Sequence, residues 1–288
     1  MRVWQSCLAV LFTFSLLVAD SPSDLPGYRA AYFLRSVDAQ YLSIFPAKTR
    51  YGKFSYGDGQ ATISGRLYRS SSAALDLMAG IRNVHMKIRN DFPRNNSLYG
   101  VVGLNGRYSG VERWVWLGSL VLQPRLASEA FRDMRYIGLL HGRYLYNERT
   151  GLHVGCYAEV GTRAKNIQPL IGMDYTCGAW TYQVVYPLKA GVTYSGIEEH
   201  AFSLMARPFY TAVRFHKKHH DRSGVAEYTG KGVELRWDWM PSSQWNVWVS
   251  VGQSLMNTLK IGNHHNHHRH HVHVHSAPYV QLGLLFQI

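Results

Sequence analysis

Residues 277–288 read Ala-Pro-Tyr-Val-Gln-Leu-Gly-Leu-Leu-Phe-Gln-Ile. Val280, Leu282, Leu284, Phe286 and Ile288 fall on alternate positions, so an extended chain puts all five on one face. The segment stops on that apolar face without a polar tail, an unusual ending for a soluble fold, where termini fray into water.

The same period of two recurs upstream. At 134–146, Met134, Tyr136, Gly138, Leu140, Gly142, Tyr144 and Tyr146 oppose Arg135, His141 and Arg143. Trp114, Trp116, Leu120 and Leu122 share one face. Leu152, Val154, Cys156, Ala158 and Val160 oppose His153, Tyr157 and Glu159. Ala61, Ile63, Gly65 and Leu67 oppose Gln60, Thr62, Ser64 and Arg66, and Val233, Leu235, Trp237 and Trp239 oppose Glu234, Arg236 and Asp238. Strands of about ten residues, apolar on one side and polar on the other, suit a barrel in a bilayer. A soluble sandwich uses shorter strands and keeps its charges on an outer face.

The amino terminus points to export. Arg2 is followed by an apolar stretch from Cys7 to Val18, then by Ala19, Asp20 and Ser21-Pro22-Ser23-Asp24. This is the layout of a secretory signal peptide over 1–19, leaving an outer-membrane barrel domain over 20–288. Removing it leaves a net charge of +12 against +13 for the whole chain. With 19 Tyr, 8 Trp, 26 Gly and only 17% charged residues, the composition fits an all-β, closed antiparallel transmembrane barrel of 12–14 strands. The expected location is the outer membrane of a Gram-negative bacterium. Expected partners are outer-membrane lipid, periplasmic chaperones and the barrel-insertion machinery. Nucleic acid is excluded, because the basic residues are scattered and no binding motif occurs.

Connection lengths orient the barrel, since bacterial barrels pair short periplasmic turns with longer outer loops. Counting back from Ile288, the outer connections are 257–276, 216–228, 125–133, 89–96 and 46–58. The exception is Pro187–Lys189, short where a loop is expected. Thirteen strands follow from residue 59, with one or two more between Tyr28 and Phe45. Even numbering favours twelve or fourteen. Cys156 and Cys177 then lie about five residues out of step on neighbouring strands, roughly 16 Å apart, too far for a disulfide.

The carboxyl terminus resembles the signal that outer-membrane barrels present to their insertion machinery, with Gln281, Gly283, Phe286 and Ile288 in the signal positions. The usual last residue is Phe, so Ile288 departs from it. Pro169-Leu170-Ile171-Gly172-Met173-Asp174-Tyr175, Trp180-Thr181-Tyr182, Val185-Tyr186-Pro187-Leu188 and Ser276-Ala277-Pro278-Tyr279-Val280 together resemble an uncharacterised, porin-like family of bacterial outer-membrane β-barrel domains. That resemblance implies a barrel and carries no catalytic residues.

Histidine is the other unusual feature. Within 263–275 stand His264, His265, His267, His268, His270, His271, His273 and His275; a lesser cluster is His216, His219 and His220. Neutral imidazole binds zinc, copper or nickel, and the lack of carboxylate or thiolate among these residues implies exchangeable binding at the cell surface. The cluster could equally be a solvated low-complexity loop or, since its histidines would charge together near pH 6, a pH sensor. No cofactor is required. Parity turns Arg66, Arg82, Arg107, Arg135, Arg143, Arg163 and Arg236 into the lumen. There they would either attract small anionic solutes or pair with Asp76, Glu159, Glu234 and Asp238.

Enzyme readings find no constellation: no Gly-rich phosphate loop, no His-Glu-x-x-His, and no serine partner for the inward His141 and His153. The expectation is a non-enzymatic, porin-like channel with a basic lumen. A non-conducting barrel acting through its loops, as adhesin or structural protein, is the alternative, and a lipid-modifying enzyme comes third.

Overall fold

The computed structural model describes residues 34–50, 52–88, 95–126, 134–161, 164–216, 223–263 and 270–288. The signal-peptide segment 1–19, Arg163, His219, His220, His264, His265, His267 and His268 lie outside them.

The strands are β1 (Leu34–Thr49), β2 (Gly52–Arg69), β3 (Ala73–Ile88), β4 (Asn95–Tyr108), β5 (Trp114–Gln123), β6 (Arg135–Leu145), β7 (Thr150–Gly161), β8 (Ala164–Cys177), β9 (Trp180–Tyr186), β10 (Lys189–Ile197), β11 (His200–His216), β12 (Ser223–Ser242), β13 (Trp245–Asn263), β14 (His270–Val274) and β15 (Ala277–Gln287). Each of β1 to β13 pairs antiparallel with the next. β14 and β15 are one stave interrupted at His275-Ser276, since both pair with β13 on one side and β1 on the other. The fifteen segments therefore make a closed barrel of fourteen staves, sealed where Tyr41 faces Leu282 between β1 and β15. Thirteen begin at or after β2, as counted from the alternation.

The apolar carboxyl-terminal face points outward. Gly283 lies on the opposite, lumenal face, and a Cβ there would sit 2.0 Å from the Trp248 indole. Only glycine lets that ring lie against the wall, a reason for Gly283 additional to any role in insertion. Around the barrel, Val102, Leu120, Leu140, Val154, Val184, Leu204, Leu235, Val251 and Leu282 are exposed and form the outward apolar band.

Three stretches expected to be outer loops are instead strand. β1 and β2 run through 46–58 and leave only 50–51 as the turn. β11 and β12 leave 217–222, and β13 and β14 leave 264–269. The cause is an inversion of pattern. On β12, Val233, Leu235 and Trp237 face out while Glu234 and Arg236 face in; farther out, Ala226 and Tyr228 face in and are buried, while Glu227 and Thr229 face out. β13 does the same, with Val249 and Val251 outward but Leu259 and Ile261 inward. The backbone irregularity at Thr229–Lys231, opposite Met256 with its positive φ of 51°, lies between the two regimes. The switch is the one expected where an outer face passes from lipid to water: beside lipid apolar residues point out, and beside water they point in.

Cys156 and Cys177 are free. Cys156 faces Pro169, so Cys177 stands eight residues along β8 from that rung, or roughly 26 Å at the usual rise. The offset is larger than the five residues inferred from sequence.

Candidate channel interior

The strands divide the wall into a tall side and a low side. β1–β4 and β11–β13 have 14 to 20 residues each; β5–β10 have 7 to 14. At the outer end the inner faces of the tall side pack together. Phe54 and Tyr56 of β2 stack on Tyr228 of β12, with ring centroids 5.0 and 5.6 Å apart. Ile44, Met86, Tyr99, Val213, Leu259, Val272 and Val274 complete this buried core. A lumen that alternation marks as polar is thus apolar in its outer part.

Below the core lies a layer of buried polar groups. Arg82 donates to both oxygens of Asp58, at 2.9 and 2.6 Å, and to Gln123 Oε1 at 3.0 Å. Tyr56 donates to Asp58 at 2.6 Å. Arg135 donates through Nε and Nη2 to Glu159, with both side chains 3% exposed, and Tyr157 donates to the other Glu159 oxygen at 2.8 Å. On the opposite wall Glu234 accepts from Tyr279 at 2.9 Å and lies 3.3 Å from Arg207 Nε. Arg207 also bonds Gln281. Buried charges this close to opposite partners are compensated; single charges in the same places would not be tolerated.

Toward the periplasmic end the pairs are wetter. Arg143 grips Asp174 with two hydrogen bonds, at 2.7 and 2.6 Å, and is 38% exposed. Asp174 also meets His153 Nε2 at 2.6 Å, and His153 Nδ1 meets His141 Nε2 at 2.7 Å with the rings parallel. Arg236 pairs with Asp238 and lies 4.3 Å over the Trp248 ring. Arg66 pairs with Asp76, which also accepts from Arg35. Ser119, Asn105, Gln183, Thr181 and Thr193 are partly exposed on the inner wall, and Arg107 is exposed. This half is a water-accessible vestibule.

The inward arginines therefore resolve toward pairing. Among the described residues, Arg66, Arg82, Arg135, Arg143, Arg207 and Arg236 each have a carboxylate partner. Sequence reading missed Arg207, Asp58, Asp174 and Lys189. Alternation on β11, with Phe202 and Leu204 exposed and Ala201 and Ser203 buried, turns Arg207 inward, a parity the sequence already carried. His141 and His153 are inward as expected. Among the described residues no serine hydroxyl bonds either ring, so the His-His-Asp line lacks a nucleophile.

The outer histidines behave differently. His271 and His273 are exposed on the outward face of β14, opposite the half-buried Lys260 and Thr258, and alternate with the buried Val272 and Val274. The His273 and His275 rings are 5.4 Å apart. Among the described residues no three His, Cys, Asp or Glu side chains converge as a metal site.

The chain superposes on an outer-membrane channel from Pseudomonas putida F1 with a TM-score of 0.50 and 7% identity, over 93% of this chain and 99% of that one. The molecule has the closed antiparallel β-barrel fold of that channel. Weaker superpositions reach the KdgM porin in complex with disordered oligogalacturonate (TM-score 0.41, 8% identity, 88% and 99% covered) and a TodX monoaromatic hydrocarbon channel mutant (TM-score 0.42, 9% identity, 89% and 90% covered). No protein-family model and no curated protein matches the chain. At such identities the likeness establishes the fold alone.

Proposed function

We propose that this barrel, exported by its signal peptide to the outer membrane of a Gram-negative bacterium, is a selective, gated channel and not an open general pore. The observation that carries this reading is the layer of buried ion pairs, Arg82–Asp58 and Arg135–Glu159, between a wet vestibule and an apolar outer core. A general pore keeps a continuous aqueous lumen, whereas a gate needs groups whose pairing can be exchanged for solute contacts. Because Arg66, Arg82, Arg135, Arg143, Arg207 and Arg236 are matched by carboxylates, ion selectivity is weak and not strongly anionic.

The test is single-channel recording of refolded protein in a planar bilayer. Small, intermittent conductance that rises when Glu159→Gln loosens the layer is the expected result. A large, steady, strongly anion-selective conductance would overturn the gated reading. Silence from folded wild-type and variant alike would favour a barrel that works through its surface loops.

A second reading concerns the outer hairpin. The shared outward face of His271 and His273, with His275 beside them, supports weak capture of zinc, copper or nickel at the cell surface.

A further inference from the structure

The barrel wall is interrupted on one side. β8 pairs with β9 only over Ile171–Cys177, so 164–170 is bonded to β7 alone. β11 pairs with β10 only as far as Ala206, so 207–216 is bonded to β12 alone. Between these edges stand only the short β9 and β10, joined by Pro187-Leu188. The outward residues of β9 are Trp180, Tyr182, Val184 and Tyr186, all exposed, and they match in number the outward Val233, Leu235, Trp237 and Trp239 of β12. The Pro187-Leu188 turn therefore lies at the outer surface of the apolar band, and the gap opens directly above it.

Both edges are blunted in the same way. Pro169 stands two residues beyond the last β8–β9 rung, Ile171 with Tyr186. Pro208 stands two residues beyond the last β10–β11 rung, Ala190 with Ala206. Proline offers no N–H to a further strand, the device by which exposed edges avoid pairing. An open gap whose two edges both carry it is a kept opening.

The gap changes chemistry from outside to inside. On the outer rim Ile167 is 70% exposed and Tyr186 63%. On the floor Lys189 is exposed and makes no ion pair among the described residues. Beside it, one step past the last β10–β11 rung, Arg207 is held by Glu234 and Gln281. The straight way out along the barrel axis meets the buried aromatic core.

We propose that this break between β8 and β11 is the outer port of the channel, and that it takes amphipathic anions: an apolar chain ending in an anionic head. The chain passes over Ile167 and Tyr186 at the membrane surface, and the head is received by Lys189 before the vestibule. The proposal rests on the channel reading above.

Ion current through the reconstituted protein tests it. Octanesulfonate added on the outer side interrupts the current at a concentration roughly tenfold or more below that needed for methanesulfonate or octyltrimethylammonium, as expected for one charge-assisted contact plus an apolar one. Lys189→Gln removes that advantage. In a background of Cys156→Ala and Cys177→Ala, a bulky maleimide on Lys189→Cys, or independently on Gln168→Cys, suppresses the current about tenfold, while the same label on Lys48→Cys of the tall wall does not. Undiminished current after both port labels would overturn the port. Equal block by the three probes would overturn the ligand class. Absence of current before any labelling, in protein shown to be folded, removes the channel reading itself and the port with it.

Discussion

The tall wall and the low wall of this barrel are built from the same alternation but solve two different solvent problems. On the low wall, the outward faces of β5–β10 stay apolar, with Leu120, Leu140, Val154, Ile171 and Val184 exposed, as a face meeting lipid requires. On the tall wall, β1–β4 and β11–β14 continue into water. There the apolar residues turn inward, and Phe54, Tyr56 and Tyr228 make a packed core such as a soluble sandwich has. The comparison teaches that polarity inside a barrel is set by what lies outside at the same height.

The sharpest way to break the comparison is to remove one aromatic from that core. Phe54 is fully buried, so Phe54→Ala lowers stability by about 3–5 kcal/mol through lost contacts and a residual cavity. Ile167→Ala, on the exposed rim of the low wall, changes it by about 0.5 kcal/mol or less. Thermal unfolding followed by electrophoretic mobility of the folded barrel measures both. Equal losses would mean that the outer core is not packed as described.

Ion pairs sharpen the same contrast. Glu159→Gln strands the buried Arg135 guanidinium and destabilises the barrel by about 3–5 kcal/mol. Arg143→Gln removes a half-exposed partner, leaves Asp174 its contact with His153, and costs about 1 kcal/mol or less. The double substitution Arg135→Met, Glu159→Leu recovers most of the stability, because no charge is left unpaired. Denaturant titration of the four proteins decides this, and failure of the double variant to recover would show that the pair is needed for more than mutual neutralisation.

How much of this was legible in the sequence follows from the inversion. Where lipid surrounds the wall, Val233, Leu235 and Trp237 against Glu234 and Arg236 spell out both the strand and its facing, and the count of thirteen staves from residue 59 follows. Where the wall rises into water, Leu259 and Ile261 against Thr258 and Lys260 keep the period but reverse its sense. With histidines crowding 263–275, that stretch reads as a loop. The arginines of the interior were visible by parity; their partners were only half visible. Asp76, Glu159, Glu234 and Asp238 stand on recognised strands, but Asp58 falls in a stretch read as loop. Asp174 is reached by Arg143 across β7, a contact that no alternation on one strand reveals. Pro169, Pro187 and Pro208 were each in plain sight, yet only the strand pairing shows that they frame one gap.

That gap gives a milder test. Pro169→Val with Pro208→Val restores an N–H to each edge while leaving the core and the ion pairs alone. The barrel stays folded, with stability changed by about 1 kcal/mol or less, but gains self-association through the exposed edges. Native mass spectrometry in detergent reads the dimer fraction. A variant as monomeric as the wild type would mean that the prolines do not keep the edges apart.

The smallest effect is expected at the tip of the tall wall. His271 and His273 project from an outward strand face without a carboxylate or third imidazole converging on them among the described residues. Two imidazoles two positions apart hold zinc only weakly. Replacing both by alanine reduces zinc affinity by about tenfold, measured by calorimetry on folded protein, without altering stability, since both side chains already lie in water. Replacing His141 and His153 leaves zinc binding unchanged, because three of their four ring nitrogens are engaged with each other and with Asp174. Loss of zinc binding from the inner pair and not the outer one would move metal chemistry from the cell surface into the vestibule. The tall wall would then be only a support for the closed outer core.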